Sequence, residues 1–505
     1  MSGTMREGWD IALFEKVSQW FDTHRDEFVN DLLEWISIPS VSEQAQDTLG
    51  QPFGPEVARM FDHVLTRAQG LGFRTETHDG YAISILFGDS TREIGLISHL
   101  DVVPAGENWV FAPFAPFERD GFVIGRGGAD NKGAALVDLY LLRAFRDLGV
   151  KLNRTLRIIY GGGEETGMLD MEYYVRHYPV PDLSIITDGG FPVNYAQKGG
   201  LNLAMNLPTG SVLAGFSAGV AENAVPATAA ITLPLDAASV EHALAALSPT
   251  LRDDLSISGK DKNSVVTARG QSGHAAFPEN TRNPIPILLS ALINAHLLKG
   301  EDLKAAQVIL RLLSDPWGVS AGIASEDKST GKLTVNGGLI RPVGEGIELS
   351  LDIRYPIVAQ PETIKRVLED AAAEIGGTLR VTRHARPMHL DKEGPLVTLL
   401  QKSFDEIAET KTEPYSMGGG THARIVPRSV TYGPGFARIP GLTFRGVSVD
   451  RRPDFIPLGH GFPHGPDEYV EIDNLKRGIG IYAATIPYLD RWLEEDGQSF
   501  LKNIT

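Results

Sequence analysis

The chain has 505 residues, with 47 Lys and Arg against 64 Asp and Glu, a formal net charge of −17, and no cysteine. A single hydrophobic core stops growing near roughly 250–300 residues, so two or three domains are expected. The acidic balance and the lack of any basic run argue against nucleic acid and anionic membranes. The missing cysteines exclude disulfides, thiolate ligands and a cysteine nucleophile.

Hydrophobic residues make up 42% and charged residues 22% of the chain, the proportions of a chain that packs rather than stays disordered. The stretch from Met1 to Asp10 is polar and mixed in charge, without the apolar centre of a signal peptide. No apolar run approaches the roughly 20 residues that span a bilayer. A soluble, cytoplasmic protein is the expectation.

Helical periodicity runs from about Ile11 to Ile36, carried by Phe14, Val17, Phe21, Phe28, Leu32 and Ile36. A second helix is expected from about Pro55 to Leu71, then a strand over Tyr81–Phe87 and an apolar run over Ile94–Ile97. Ala134–Leu148, rich in Ala and Leu, reads as a helix, and Leu156–Tyr160 and Leu183–Thr187 as strands. Short β-branched runs alternating with helices predict an α/β domain with a mostly parallel sheet.

Around Gly199 the texture changes. Strand-like segments over Ala229–Leu233 and Ser264–Thr267 alternate with helices near Ser239–Leu247 and Ile285–Leu298, and Ile347–Ile353 alternates apolar and polar residues like an antiparallel strand with one exposed face. This predicts an inserted α+β domain over residues 199–387. Residues 1–198 and 388–505 then form one discontinuous α/β domain, closed by helices near Val397–Ala408 and Leu475–Asp490.

Acids and histidines recur at the ends of the predicted strands. Ser98-His99-Leu100-Asp101 follows the first apolar strand, and Asp130 sits in a Gly-rich turn. Gly161-Gly162-Gly163-Glu164-Glu165 follows the next strand, and Asp188 the one after. In open α/β sheets the strand C-termini are where ligands bind. Imidazole and carboxylate ligands suit zinc, manganese or cobalt. A carboxylate shared by two ions, with one imidazole and one carboxylate on each, leaves room for an activated water. Glu164-Glu165 then offers one base and one ligand, and Asp101 can fix the tautomer of His99. Taken singly, each acid is an ordinary turn or helix-capping residue; the recurrence of four such sites in one domain favours metal.

The strings SHLDVVPAG, GRGGADNKG, GGGEETG and TDGGFP resemble the metallopeptidases that include aminoacylase, carboxypeptidase G and the PepV-type dipeptidases. The similarity runs from LLEWISIPSVS near the start to HGPDEY near the end. The resemblance implies that His99 is the first metal ligand and Asp101 the carboxylate that orients it. It makes Asp130 the bridging carboxylate, usually followed by a cis peptide, Glu164 the general base and Glu165 a ligand. Asp188 shares one ion with His99. The second ion takes His464 of HGPDEY, with His460 as the rival and the PDEY that follows His464 deciding for it.

The inserted domain resembles the family's lid. Asn223 in ENAVP matches a substrate-holding asparagine, and His274 a lid histidine that stabilises an oxyanion. Arg354, with the backbone of Gly419, Gly420 and Thr421, matches the site for a substrate's C-terminal carboxylate; an arginine fork and a nest of amides both suit that group. A lid as long as residues 199–387 resembles the PepV type, in which a doubled lid serves a monomer. The implied activity is therefore that of a dipeptidase acting on small peptides, with two divalent ions per chain, zinc first and manganese or cobalt as alternatives. An N-acyl-amino-acid amidohydrolase or desuccinylase, or a carboxypeptidase, using the same two ions is the alternative, and a non-catalytic binding protein on this scaffold is a more remote reading. Two departures stand out. The segment 436–460, with Arg438, Arg445, Arg451 and Arg452 in and around it, is longer than the family pattern. His422 stands where a tyrosine is expected.

A serine hydrolase competes, because Gly215-Phe216-Ser217-Ala218-Gly219 fits G-x-S-x-G. That motif needs a strand before it and a helix after it, and Glu222, Asn223 and Pro226 follow too soon. No nucleotide-binding G-x-x-x-x-G-K-[ST] occurs.

Overall fold

The computed structural model describes residues 9–43, 45, 48, 50–260, 262–275, 278–495 and 497. The stretch up to Gly8, in which no signal peptide is expected, lies outside them. The chain divides into two units. One holds the described residues up to 195 together with 390–415 and 421 onward; the other holds 196–389 and 416–420. Among the described residues, no helix is long and apolar enough to cross a membrane.

The first unit is built on a mixed sheet. Its four central strands, Thr155–Gly161, Glu93–His99, Leu183–Ile186 and Ser429–Tyr432, lie side by side in that order and run parallel. They are buried on both faces, which is why they read as continuous apolar runs rather than alternating ones. Ala82–Phe87 joins antiparallel beside Thr155–Gly161, and Arg74–His78 beyond it, so the sheet is parallel only at its centre. The helices Ile11–Ser37, Gly133–Asp147 and Ile472–Glu495 pack against one another. Their buried faces carry Phe28, Trp35, Leu139, Tyr140, Tyr482 and Leu489.

The parallel centre has a consequence for chemistry. His99, Gly161 and Ile186 end adjacent parallel strands, and His99 is in register with Gly161. The segments that follow these strands, starting at Leu100, Gly162 and Thr187, leave from one edge of the sheet.

The second unit is an α+β layer on one continuous eight-stranded antiparallel sheet. Its order is Leu255–Lys260, Asn263–Arg269, Thr228–Leu233, Ser217–Ala218, Thr334–Val343, Gly346–Tyr355, Gly199–Pro208 and Thr378–Ala385. Helices Ala237–Leu244, Pro284–Asn294, Gly300–Leu313 and Pro361–Ala373 supply apolar residues to its core, among them Leu244, Leu288, Ile309 and Leu368. Ser217 lies in a two-residue strand paired to Ala230, with no helix after it. The serine-nucleophile pattern therefore lacks the strand–turn–helix context that its chemistry needs.

Candidate metal centre

Asp101 is the hub of the site. It is fully buried and accepts from Ser42 Oγ at 2.8 Å, from the amide of Glu164 at 3.3 Å and from the amide of Glu165 at 3.1 Å. The Nδ1 of His99 lies 3.0 Å from the Asp101 carbonyl oxygen and 3.3 Å from Oδ1. One side chain thus orients the His99 ring and ties down the turn that carries the two glutamates. That turn has no room for side chains before Glu164: a Cβ on Gly163 would stand 2.3 Å from the Phe53 ring.

Asp130 sits on a single wide turn, Gly128–Lys132, with backbone angles of φ −130° and ψ 93° that leave the helical region. The Asp130–Asn131 peptide is cis. The turn is pinned by Glu468, whose Oε1 accepts from the amides of Ala129 and Asp130 at 2.9 and 3.0 Å. Glu468 is itself buried against Arg126 at 2.5 Å. Asn131 reaches Ser98 Oγ at 2.9 Å and the Thr187 carbonyl at 3.3 Å. These contacts join the His99, Asp130 and Asp188 segments.

Among the described residues, three groups of side chains bring their ligand atoms within 4.8 Å of one another: His99 with Asp130 and Asp188, His99 with Glu164 and Glu165, and Asp130 with Glu165 and His464. His99 Nε2 is 3.1 Å from Asp130 Oδ1 and 3.9 Å from Asp188 Oδ1. On the other side of Asp130, His464 Nε2 is 3.2 Å from Oδ2 and 3.0 Å from Glu165 Oε1. The two oxygens of Asp130 therefore face two histidines, and each histidine has a further carboxylate. His460 goes elsewhere, with Nδ1 at 2.6 Å from Asp467 Oδ2, and Asp467 also takes the Val110 and Phe111 amides.

Four carboxylates, of Asp130, Glu164, Glu165 and Asp188, crowd against two imidazoles. The nearby cations are occupied: Arg126 by Glu468, and Lys132 by the Trp35 and Ile38 carbonyls at 3.0 and 2.7 Å. Carboxylates crowded together out of bulk water are costly when positive charge is short, and two divalent ions would supply more of it. The donor set of imidazole and carboxylate fits zinc, manganese or cobalt. The charge crowding bears on the protonation of these groups. Burial, opposed by His99 and reinforced by Glu165, Asp188 and Asp130, raises the Glu164 carboxyl well above the usual range. Burial first, then Asp130, pushes Asp188 up to about 6 against the pull of His99. Burial works to lower His464, but Glu165 and Asp130 outweigh it and hold the imidazole up to about 11.

The remaining expected residues fall in different places. Asn223 and His274 belong to the second unit, where Ala224 pairs with His274 in a short antiparallel bridge and the Asn223 carbonyl accepts from the Ala275 amide at 3.0 Å. The His274 side chain lies outside the described part of the structure. Arg354 is in the same unit, its guanidinium forked onto buried Asp352 at 2.6 and 2.8 Å. Gly419 and Gly420 also belong to that unit, whereas Thr421 belongs to the first. Thr421 Oγ1 accepts from the Ala423 amide at 3.2 Å, capping the turn His422–Arg424.

The long segment before His464 uses its arginines on the fold. Arg445 bonds Glu15 at 2.6 Å, Arg451 bonds Glu471 at 2.7 Å, and Arg452 bonds the Ile456 carbonyl at 2.7 Å. Arg438 lies 4.2 Å over the Phe462 ring. Sequence reasoning missed Glu468 and Asp170 as supports. For Glu468 the signal was in view, since it is an acid in the same HGPDEY string as His464.

The model of the family described as peptidase family M20/M25/M40 matches residues 95–487. The putative dipeptidase YtjP of Bacillus subtilis (strain 168) is 30% identical over 491 residues, 95% of this chain and 98% of the relative. The Beta-Ala-Xaa dipeptidase of Lactobacillus delbrueckii subsp. lactis is 27% identical over 92% of this chain and 96% of its own. Among solved structures, human carnosine dipeptidase 1 superposes with a TM-score of 0.57 at 18% identity, covering 95% of this chain and 99% of that one. At that identity the likeness speaks for the fold.

Proposed function

Because the chain belongs to peptidase family M20/M25/M40 and is a metallopeptidase, we propose that it is a dipeptidase, cleaving small peptides that carry a free C-terminal carboxylate. The observation that carries this reading is Asp130, whose two oxygens stand between His99 and His464 as a bridging ligand would. Two relatives named as dipeptidases, matched over nearly the whole chain, support the substrate class.

His99 and Asp188 would hold one ion, Glu165 and His464 the other, and Asp130 both. When bound, the ions polarise the scissile carbonyl and make the attacking water more acidic. Glu164 accepts that water's proton as its oxygen joins the carbonyl carbon. It then returns the proton to the amide nitrogen as the carbon–nitrogen bond breaks. Burial favours this role, since it raises the proton affinity of Glu164. Asp101 keeps the His99 tautomer and the glutamate turn fixed while this happens.

Asn223, His274, Arg354 and the backbone at Gly419, Gly420 and Thr421 serve the substrate in this reading. His274 stabilises the oxyanion and Arg354 takes the carboxylate, with Asp352 orienting its fork. Zinc is the expected ion, with manganese and cobalt accepted by the same donors.

The test is a panel of dipeptides, tripeptides and N-acyl amino acids assayed with the metal-loaded protein. Cleavage confined to dipeptides with a free carboxylate is expected. Activity on N-acyl amino acids alone would overturn the dipeptidase reading while leaving the metal centre in place.

A further inference from the structure

His422 was singled out by sequence as out of pattern, and the chemistry proposed above makes no use of it. It is fully buried, and so is its partner Asp170. The His422 Nε2 lies 3.2 Å from both carboxylate oxygens of Asp170. The same carboxylate accepts from the Gly163 amide at 3.0 Å and from the Met171 amide at 2.7 Å. Gly163 immediately precedes Glu164. On its other side the His422 ring meets the His99 ring edge-on, with centroids 6.3 Å apart and planes at 89°. Among the described residues the buried His422 Nδ1 has no hydrogen-bond partner, and the polar contact of this ring is to Asp170.

Gly161 makes the arrangement possible. It is the register partner of His99 on the neighbouring strand, and its carbonyl accepts from the Leu100 amide at 2.9 Å. A Cβ at this position would stand 2.0 Å from Asp170 Oδ2 and 3.1 Å from His422 Cε1. The pair therefore fills the space that glycine leaves beside the His99 strand.

We propose that His422 and Asp170 act as a positioning pair, holding the turn that carries Glu164 and Glu165 in register with the ring of His99. One hydrogen-bonded unit touches a metal-ligand ring at one end and the amide before the general base at the other. Partners of this kind set the orientation of groups that do the chemistry, and their loss typically costs about 10- to 100-fold in activity or metal affinity. The inference rests on Glu164 as the base. If Glu164→Gln kept full activity, that reading would fall, and the spectroscopic arm below would still test the pair.

The experiment compares His422→Met, His422→Gln and Asp170→Asn in the full-length chain loaded with Co²⁺. It reads the visible absorption of the bound Co²⁺, which reports ligand geometry, together with kcat and KM on a dipeptide. His422→Met fills the space without a donor. It is expected to lower kcat by about 10- to 100-fold with little change in KM, and to alter the Co²⁺ spectrum. His422→Gln, whose amide still donates to Asp170, is expected to recover most of both. Met and Gln variants that match each other, or a Met variant with the wild-type spectrum and kcat, would overturn the proposal. Should His422→Met fail to fold, Asp170→Asn takes its place as a near-isosteric change. The same loss of kcat and spectral change are expected of it, and wild-type values would overturn the proposal.

Discussion

His464 and Glu165 lie 299 positions apart in the chain, yet the imidazole Nε2 of one stands 3.0 Å from Oε1 of the other. His460, only four residues from His464, is bonded instead to Asp467 at 2.6 Å. The two histidines are therefore expected to behave differently when removed. His464→Ala should lower bound metal from about two ions per chain to about one and abolish activity, because each ion of such a pair is needed for the transition state. His460→Ala should keep the metal. Elemental analysis of the purified variants measures both, and equal metal loss from the two would contradict this assignment.

Glu164 is expected to matter to catalysis and not to metal content. Glu164→Gln keeps the volume and removes the proton acceptor, so kcat should fall by about 10²–10⁴-fold while metal stoichiometry stays unchanged. Steady-state kinetics beside elemental analysis on the same sample separates the two effects. A variant that loses metal in step with activity would make Glu164 a ligand instead.

Metal binding should release protons and tighten as pH rises. In the metal-free chain, burial disfavours the charged His464, yet Glu165 and Asp130 hold its imidazole up to about 11. Because that value is raised, its pairing stabilises the metal-free fold fully below the ordinary histidine range and is lost as pH rises through about 11. An ion needs the neutral imidazole and must displace that proton. Affinity is therefore expected to rise about tenfold per pH unit for each proton released. Calorimetric titration of Zn²⁺ in buffers of different ionisation enthalpy counts the protons; no net release would contradict the expectation.

The support beneath Asp130 should be costly to break. Arg126 and Glu468 are both about 1% exposed and form a direct ion pair. Arg126→Met would leave Glu468 buried without its cation, which typically costs about 3–5 kcal/mol. Urea unfolding of the metal-free variant measures this. A loss below about 1 kcal/mol would mean that the amides of Ala129 and Asp130 alone satisfy Glu468.

Much of the site was legible because its residues sit at fixed points of a periodic pattern. His99, Glu164 and Asp188 each follow an apolar run, and a parallel sheet brings the ends of such runs to one edge. The edge strand Arg74–His78 was harder to read: it is largely exposed and polar, with no apolar alternation to announce it. In the second unit, the helices Gly300–Leu313 and Pro361–Ala373 went unread although their buried faces hold Ile309, Leu312, Ile364 and Leu368. The Asp170–His422 pair was illegible for a different reason. It depends on the space left by Gly161 and on two segments 252 positions apart in the chain, and no local pattern encodes that.

Peptide hydrolysis is expected to require two ions held through Asp130. The most direct test strips the protein with a chelator and titrates Zn²⁺, Mn²⁺ or Co²⁺ back while following cleavage of a dipeptide. Activity that is absent in the stripped protein and reaches its plateau at about two ions per chain is the expected result. Full dipeptide cleavage by the fully stripped protein would mean that metal at Asp130 is not needed for hydrolysis.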